Sequence, residues 1–202
     1  MINKPKYKIA RRLGPGVFDK TQTQKFALRE GRRKEVKVRG RAKSEFALQL
    51  LEKQKARFSY GINERQFGKY VAEAIARKAA KPEESLYERL ENRLDNVIYR
   101  IKLAPTRQAA RQMVSHGHIL VNDVRITIPS YGVKVGDKIK IREASAKKVL
   151  FANLTDKLKD NSSPSWLSFD PEKRTGNVQG KPKMVKSELI FDISAIIEFY
   201  RR

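Results

Sequence analysis

The chain has no cysteine among its 202 residues, which excludes disulfides and every zinc site built on thiolates. Histidine is nearly as scarce. His116 and His118 stand two apart with no third ligand nearby, so no metal is expected, and phosphate contact or helix capping is the favoured role for the pair. Apolar runs fall far short of the ~20 residues a spanning helix needs. The opening MINKPKYKIARRLGPG lacks the apolar stretch of a secretory signal, so the reading is of a soluble, non-secreted protein with no membrane partner. Aromatics are 8% of the chain; Phe46, Phe67 and Tyr70 sit at helix-core spacing rather than on a strand as stacking platforms for bases.

Catalytic patterns are missing too. There is no Gly-rich phosphate loop, no Ser in a Gly-x-Ser-x-Gly setting and no paired carboxylates outside ordinary surface patterns. Asp95 could act as an acid in an RNA-modifying enzyme, but between Arg93 and Arg100 it more simply balances those arginines. The expectation is a binding protein, not an enzyme, with no cofactor.

Acidic residues are the most telling shortage: 22 Asp and Glu face 45 Lys and Arg, leaving a formal charge of +23 and a pI near 10.3. Such a surface repels itself and calls for a polyanion, and nucleic-acid phosphate neutralises many cations while releasing counterions. The excess is uneven. Residues 1–43 hold 15 basic residues against 3 acidic ones, break at Gly14-Pro15-Gly16, and contain Arg32, Arg33, Lys34, Lys37, Arg39, Arg41 and Lys43. With few aliphatics this stretch reads as an extended basic arm ordered mainly on RNA, a solvated tail being the alternative; a helix over Lys20 to Glu30 is compatible with it.

From Ser44 the periodicity becomes helical. Ser44 is placed as an N-cap and Gly61 as a stop, with Phe46, Leu50 and Leu51 inward and Lys53, Lys55 and Arg57 on the other face. A second helix follows Asn63, capped with Gln66; it exposes Arg65 and buries Phe67, Val71, Ala74 and Ile75, and the two should pack as an antiparallel pair. A third is expected from Ser85 to Ile101, with Leu86, Leu90, Leu94, Val97, Ile98 and Ile101 inward and Arg89, Arg93 and Arg100 outward. After Pro105, Thr106 caps a short helix that ends at a left-handed Gly117. Arg107 and Arg111, four apart beside its positive end, form a candidate phosphate site, against the alternative of an ordinary solvated face.

Strand patterns take over in HILVNDVRITI, where Asn122-Asp123 tolerate the positive φ of a tight turn. Asn122 is explained by that geometry, with a base, ribose or phosphate contact as its other reading. In KIKIR, Ile139 and Ile141 alternate with Lys138, Lys140 and Arg142, giving one buried and one basic sheet face. Arg125 lies in the neighbouring strand. Beyond Ala146 a helix is possible, residues 162–182 read as loop with Trp166 as an anchor, and Ile193, Ile196, Ile197 and Tyr200 give a terminal helix an apolar face that needs a partner, best supplied by the helices of residues 44–85.

Several long motifs, LQLLEKQKARFSYGINERQF from Leu48, RLENRLDNVIYR from Arg89, TRQAARQMVSHGHILVN from Thr106, VGDKIKIRE from Val135 and the terminal DISAIIEFYRR, resemble the small-subunit ribosomal protein S-four family. The stretch from Arg89 to Arg142 alone is similar to a module also found in pseudouridine synthases and tyrosyl-tRNA synthetases, but the segment from Leu48 discriminates. The resemblance implies an α+β fold: a basic arm (1–43), a helical domain (44–88) completed by a C-terminal helix (188–202), and an inserted S-four-type RNA-binding domain (89–187) of helices and antiparallel sheet with a loop-rich extension. It implies binding of 16S-type rRNA at a five-way junction, nucleation of its 5′ domain, and a place by the mRNA entry channel beside proteins S three and S five. A bacterial-type cytoplasmic ribosome is the implied location, an organellar one the alternative, and no homo-oligomer is expected. The RNA-binding candidates are then Arg32, Arg33, Lys34, Arg39, Arg41, Lys53, Lys55, Arg57, Arg65, Arg93, Arg107, Arg111, His116, His118, Asn122 and Arg125. Two family features are absent, a four-cysteine zinc site and a Pro-Gly-Gln-His-Gly stretch before the helical domain.

Overall fold

A computed structural model describes residues 5–35, 44–77, 81–148, 151 and 163–201. The chain divides into two units, one formed by Met1–Leu86 with Val185–Arg202 and the other by Tyr87–Met184. Among the described residues the architecture is α+β, helices in the first unit and helices with one antiparallel sheet in the second.

The first unit contains α1 (Lys6–Leu13), α2 (Gln24–Glu35), α3 (Glu45–Tyr60), α4 (Glu64–Ala76) and the terminal helix, designated α9 (Ile193–Arg201). Local signals set the boundaries as expected. Ser44 accepts a hydrogen bond from the Ala47 amide, Gly61 takes a left-handed φ of 64°, and Asn63 accepts from the Gln66 amide at 2.8 Å. Helix α9 packs against both α3 and α4, burying Ile193, Ile196 and Ile197.

The buried face of α3 is not the expected Phe46, Leu50, Leu51 stripe. It is Gln49, Lys53, Ala56 and Tyr60, while Phe46 is half exposed. The cause is α9, whose contact surface is partly polar. Gln49 donates to Glu198 at 3.2 Å, and the Lys53 ammonium lies 4.5 Å from the centre of the Phe199 ring and 2.7 Å from Glu64. Burial pushes the Glu64 carboxyl up, but the Lys53 hydrogen bond and charge, the Tyr200 hydroxyl and Arg57 outweigh it and hold it below the ordinary glutamate value.

Residues 5–35 are helical rather than extended. Ala10, Leu13, Val17 and Phe26 are buried, and α1 and the turn at Pro15–Val17 pack on α3. Tyr7 stacks with Phe26, and Phe18 meets Phe58 edge-on. The segment has too few apolar residues for a core of its own and instead extends that of α3. Helix α2 begins four residues later than the Lys20 to Glu30 reading and runs to Glu35.

Helix α5 (Pro82–Glu91) carries the chain into the second unit, which continues with α6 (Leu94–Arg100), α7 (Arg107–Ser115), β1 (Ile119–Val121), β2 (Val124–Arg125), β3 (Lys138–Ile141), the single turn α8 (Glu143–Ala146), β4 (Leu167–Asp170) and β5 (Thr175–Val178). The sheet order is β2-β1-β3-β5-β4, every pair antiparallel. Asn122 and Asp123, at φ 51° and 65°, make the tight β1–β2 turn. Ile119, Val121, Ile139 and Ile141 face a core shared with Val97, Ile98, Met113, Val114 and Trp166.

Two expectations are corrected here. The helix expected from Ser85 to Ile101 is two helices, and Ser85 is a buried residue inside the first rather than a cap. At the break Arg93 is extended, and the backbone pairs with residues 129–133: Leu94 N–H donates to Tyr131 O at 2.8 Å and Val133 N–H to Asn92 O at 2.8 Å. The stretch read as loop contains the β4–β5 hairpin, whose short strands LSFD and TGNV mix Phe, Thr and Val with Ser, Asp, Gly and Asn; Leu167 and Val178 pair inward, and β5 joins the edge of β3. Trp166 anchors the hairpin start, as its position suggested.

Ile196 is fully buried where α9 packs within the first unit. Replacing it with alanine leaves a cavity, and an Ile196→Ala chain should lose about 2–5 kcal/mol of unfolding free energy, read from the denaturant midpoint at unchanged m-value.

Candidate nucleic-acid interface

In the second unit Thr106 caps α7 by accepting from Ala109 N–H at 3.1 Å, and Arg107 and Arg111 follow on one face. Their guanidiniums do not simply extend into solvent. Arg111 gives two hydrogen bonds to Asp95 Oδ2, 3.0 Å from Nε and 2.7 Å from Nη2, and its side chain is 21% exposed. Arg107 Nε donates to Asn96 Oδ1 at 2.8 Å, and its guanidinium lies 4.4 Å from the centre of the Tyr99 ring. Both arginines are therefore half-buried and held by polar partners, neither a fully solvated face nor a pair of uncommitted cations.

Arg93, expected to point outward, is 3% exposed and makes a bidentate pair with Asp95, 3.0 and 2.8 Å. Arg100 makes another with Glu91, both bonds 2.8 Å, and Asn96 donates to the same carboxylate. The reason for the correction is the helix break. Once α5 ends at Glu91, the alternating acids and bases of RLENRLDNVIYR fold onto each other instead of lining one helix face. Glu91 and Asn96 were missed as partners; the signal was the carboxylates at 91 and 95 interleaved with arginines, which a continuous-helix reading obscured.

At the other end of α7, Gly117 takes φ 69°, and a side chain there would collide with the Arg125 guanidinium. His116 and Arg125 are exposed. His118 is not: it is 8% exposed, shares a 2.8 Å hydrogen bond between Nδ1 and Ser145 Oγ, and meets the Phe151 ring edge-on. That burial, followed by the positive charges of Lys148, His116, Arg125 and Arg142, lowers its pKa from the ordinary histidine value. Its expected contact with RNA gives way to an internal role. Asn122 uses its amide within the fold, donating to Asp137 at 2.8 Å and accepting from Lys138 N–H at 2.9 Å, so the turn explanation suffices.

Among the first unit's candidates, Arg32 and Arg65 are exposed. Lys53 is buried in the α9 contact, contrary to the expected basic face. Lys55 pairs with Glu52 at 2.6 Å, and Arg57 donates to Gln54 at 2.7 Å and lies against Phe58. Arg33 and Lys34 lie on α2, while Arg39 and Arg41 fall outside the described residues. Among the described residues no cluster of three or more His, Asp or Glu is arranged to hold a metal, and no helix is long and apolar enough to cross a membrane.

A helix pair joined to a small antiparallel sheet, with arginines organised along the second helix, defines a module of the RNA-binding class, and residues 92–139 match the family described as the S4 domain. Residues 2–91 match the ribosomal protein S4/S9 N-terminal domain. Two relatives named small ribosomal subunit protein uS4, from Roseiflexus sp. and Persephonella marina, are each 42% identical, covering 98% and 97% of this chain and 97% and 96% of their own lengths. Another of that name from Corynebacterium glutamicum is 46% identical over 81% of the chain. The chain belongs to the uS4 family of small-subunit ribosomal proteins.

Two outcomes follow from this geometry. Asp95→Asn would leave buried Arg93 without its countercharge and should destabilise the second unit by about 3–5 kcal/mol, measurable by denaturant titration. For His118, a lowered folded pKa means that the unfolded chain binds the extra proton first as pH falls. Its contribution is thus complete above the ordinary histidine pKa and declines as pH drops toward the folded value. His118→Asn should flatten the stability-versus-pH curve just below the ordinary histidine value of 6.5; an unchanged slope would assign it to other groups.

Proposed function

We propose that the chain is a structural, rRNA-binding constituent of the small ribosomal subunit. The observation that carries this is family membership over nearly the whole length at 42% identity, in a chain whose charge of +23 requires a polyanionic partner. The finer reading is that of a primary assembly protein. It grips a five-way junction of 16S-type rRNA, nucleates folding of the 5′ domain, contributes to the mRNA entry channel and translational accuracy, and touches proteins S three and S five in a bacterial-type cytoplasmic ribosome. It acts by binding and not by catalysis.

Most of the candidate residues fall into two roles under this reading. Exposed Arg32, Arg65, His116 and Arg125, with Arg33, Lys34, Arg39 and Arg41, supply charge to phosphates. Arg107 and Arg111 meet the RNA from fixed positions, since Asn96 and Asp95 anchor their guanidiniums. A guanidinium held by a carboxylate loses less freedom when it meets a phosphate. Lys53, Arg93 and His118 hold the scaffold.

Co-sedimentation with small subunits through a high-salt gradient, followed by footprinting on 16S-type rRNA, tests the reading: stoichiometric retention and protection confined to one multi-helix junction are expected. If about six to ten phosphates are contacted, affinity should fall roughly a thousandfold or more between about 50 and 200 mM salt. Diffuse protection or a flat salt response would overturn the proposal.

A further inference from the structure

The five-stranded sheet turns Ile119, Val121, Ile139, Ile141, Leu167 and Val178 into the core, and the residues alternating with them form its other face. Strand register defines what that face carries. One cross-strand row reads Arg125, Leu120, Lys140, Thr175 and Asp170; the next places Lys138 beside Asn177 and Ser168. Where β3 ends beside the β4–β5 turn and α8, an open groove is lined by Lys140, Arg142, Lys173, Arg174 and Thr175, and by the two carboxylates Asp123 and Glu143, so its cations outnumber its acids four to two.

We infer that this groove is a second phosphodiester-binding site for RNA, separate from the α7 arginines; the inference rests on the RNA-binding reading above. Four cations converge there from two elements distant in sequence, and none is locked inside the protein. Arg142 and Arg174 make no ion pair with a described residue, while Lys140 pairs with Asp123, which is 70% exposed, and Lys173 lies 3.9 Å from Asp170. Such exposed pairs are weak and yield readily to a phosphate. Alternate residues of a strand lie about 6.8 Å apart, so Lys140 and Arg142 can meet successive phosphates of one strand. The Thr175 hydroxyl donates to the Lys173 carbonyl at 3.1 Å and can accept from a ribose hydroxyl. Among the described residues no aromatic side chain lines the groove, so bases find no aromatic platform there and contact with the sugar-phosphate backbone, independent of sequence, is the favoured binding mode. An acidic peptide would meet the same cations without using a 2′-hydroxyl.

The groove differs from α7 in how its cations are committed. On α7 the guanidiniums are already held by Asp95 and Asn96; on the sheet the cations remain available, and the basic face was legible in KIKIR without being assigned a ligand.

The test uses the full chain with Lys140, Arg142, Lys173 and Arg174 all replaced by glutamine, and a second variant carrying only Arg142→Gln and Arg174→Gln. Circular dichroism and melting temperature verify folding, and the double variant stands in if the quadruple one is unfolded. Binding is measured over a salt series to a transcript of the rRNA 5′ domain, to poly(U), and to poly-glutamate. Failure of the unaltered chain to bind either RNA would overturn the RNA-binding reading itself. With that binding present, the quadruple variant should bind at least about tenfold more weakly, and its slope of log affinity against log salt should shrink by roughly 0.7–0.9 for each phosphate it no longer neutralises. Weakening on the transcript alone identifies folded rRNA as the source of the phosphates, whereas equal weakening on poly(U) identifies a single strand. RNA affinity and slope unchanged in both variants, or weakening confined to poly-glutamate, would overturn the inference.

Discussion

Two carboxylates buried in the second unit organise much of what surrounds them. Asp95 receives Arg93 and Arg111, and Glu91 receives Arg100 and Asn96. An ion taken out of water costs several kcal/mol, recovered only when its partners are well placed. Asp95 meets that condition with four short bonds from two arginines on different elements, α7 and the residue before α6. The pairing therefore fixes where α7 lies on α6, and with it the orientation of the Arg107 and Arg111 guanidiniums. These buried pairs bear on geometry more than on net stability, because apolar residues of similar volume could fill the same space.

The same constraint explains how so basic a chain folds. A charge of +23 opposes compaction, and the fold meets this by sorting its cations. One set is neutralised internally: Lys53 with Glu64, Arg93 with Asp95, Arg100 with Glu91. The other, including Arg32, Arg65, Arg125, Lys138 and Arg142, remains exposed. Only the second set supplies the long-range field that attracts a polyanion. Treating every Lys and Arg as part of one electrostatic surface would overstate that field and miss the pairs that maintain the scaffold.

Helix caps were legible because they are local. Ser44, Asn63, Thr106 and Gly117 all occupy the positions their side chains or φ preferences suggested. Alternation in KIKIR was equally readable, since a strand's faces follow from period two. The inner face of α3 was not. Its stripe looked apolar at Phe46, Leu50 and Leu51, yet the chosen face contains Gln49 and Lys53, because the surface it meets comes from α9, where Glu198 lies 149 residues from Gln49 in sequence. The break at Arg93 escaped notice for the same reason: the groups that compete with helix continuation belong to residues 129–133. The β4–β5 hairpin has neither β-branched runs nor a strong turn dipeptide, and is a sheet mainly because β3 offers it an edge.

Long motifs established the family, but they could not assign contacts residue by residue, and Lys53 and Lys140 illustrate why. Each is a lysine in a segment resembling the family, each has a carboxylate within 2.7 Å, and composition treats them alike. Lys53 is 9% exposed at the side chain and its ammonium lies against an aromatic ring, so freeing it for a phosphate would break its bond to Glu64 and open the α9 contact. Lys140 is 37% exposed beside a still more exposed aspartate, and turning it toward a phosphate disturbs nothing beneath. What separates a phosphate ligand from a structural cation is the cost of releasing its present partner, and that cost is set by burial, a property of tertiary packing that no charge pattern encodes.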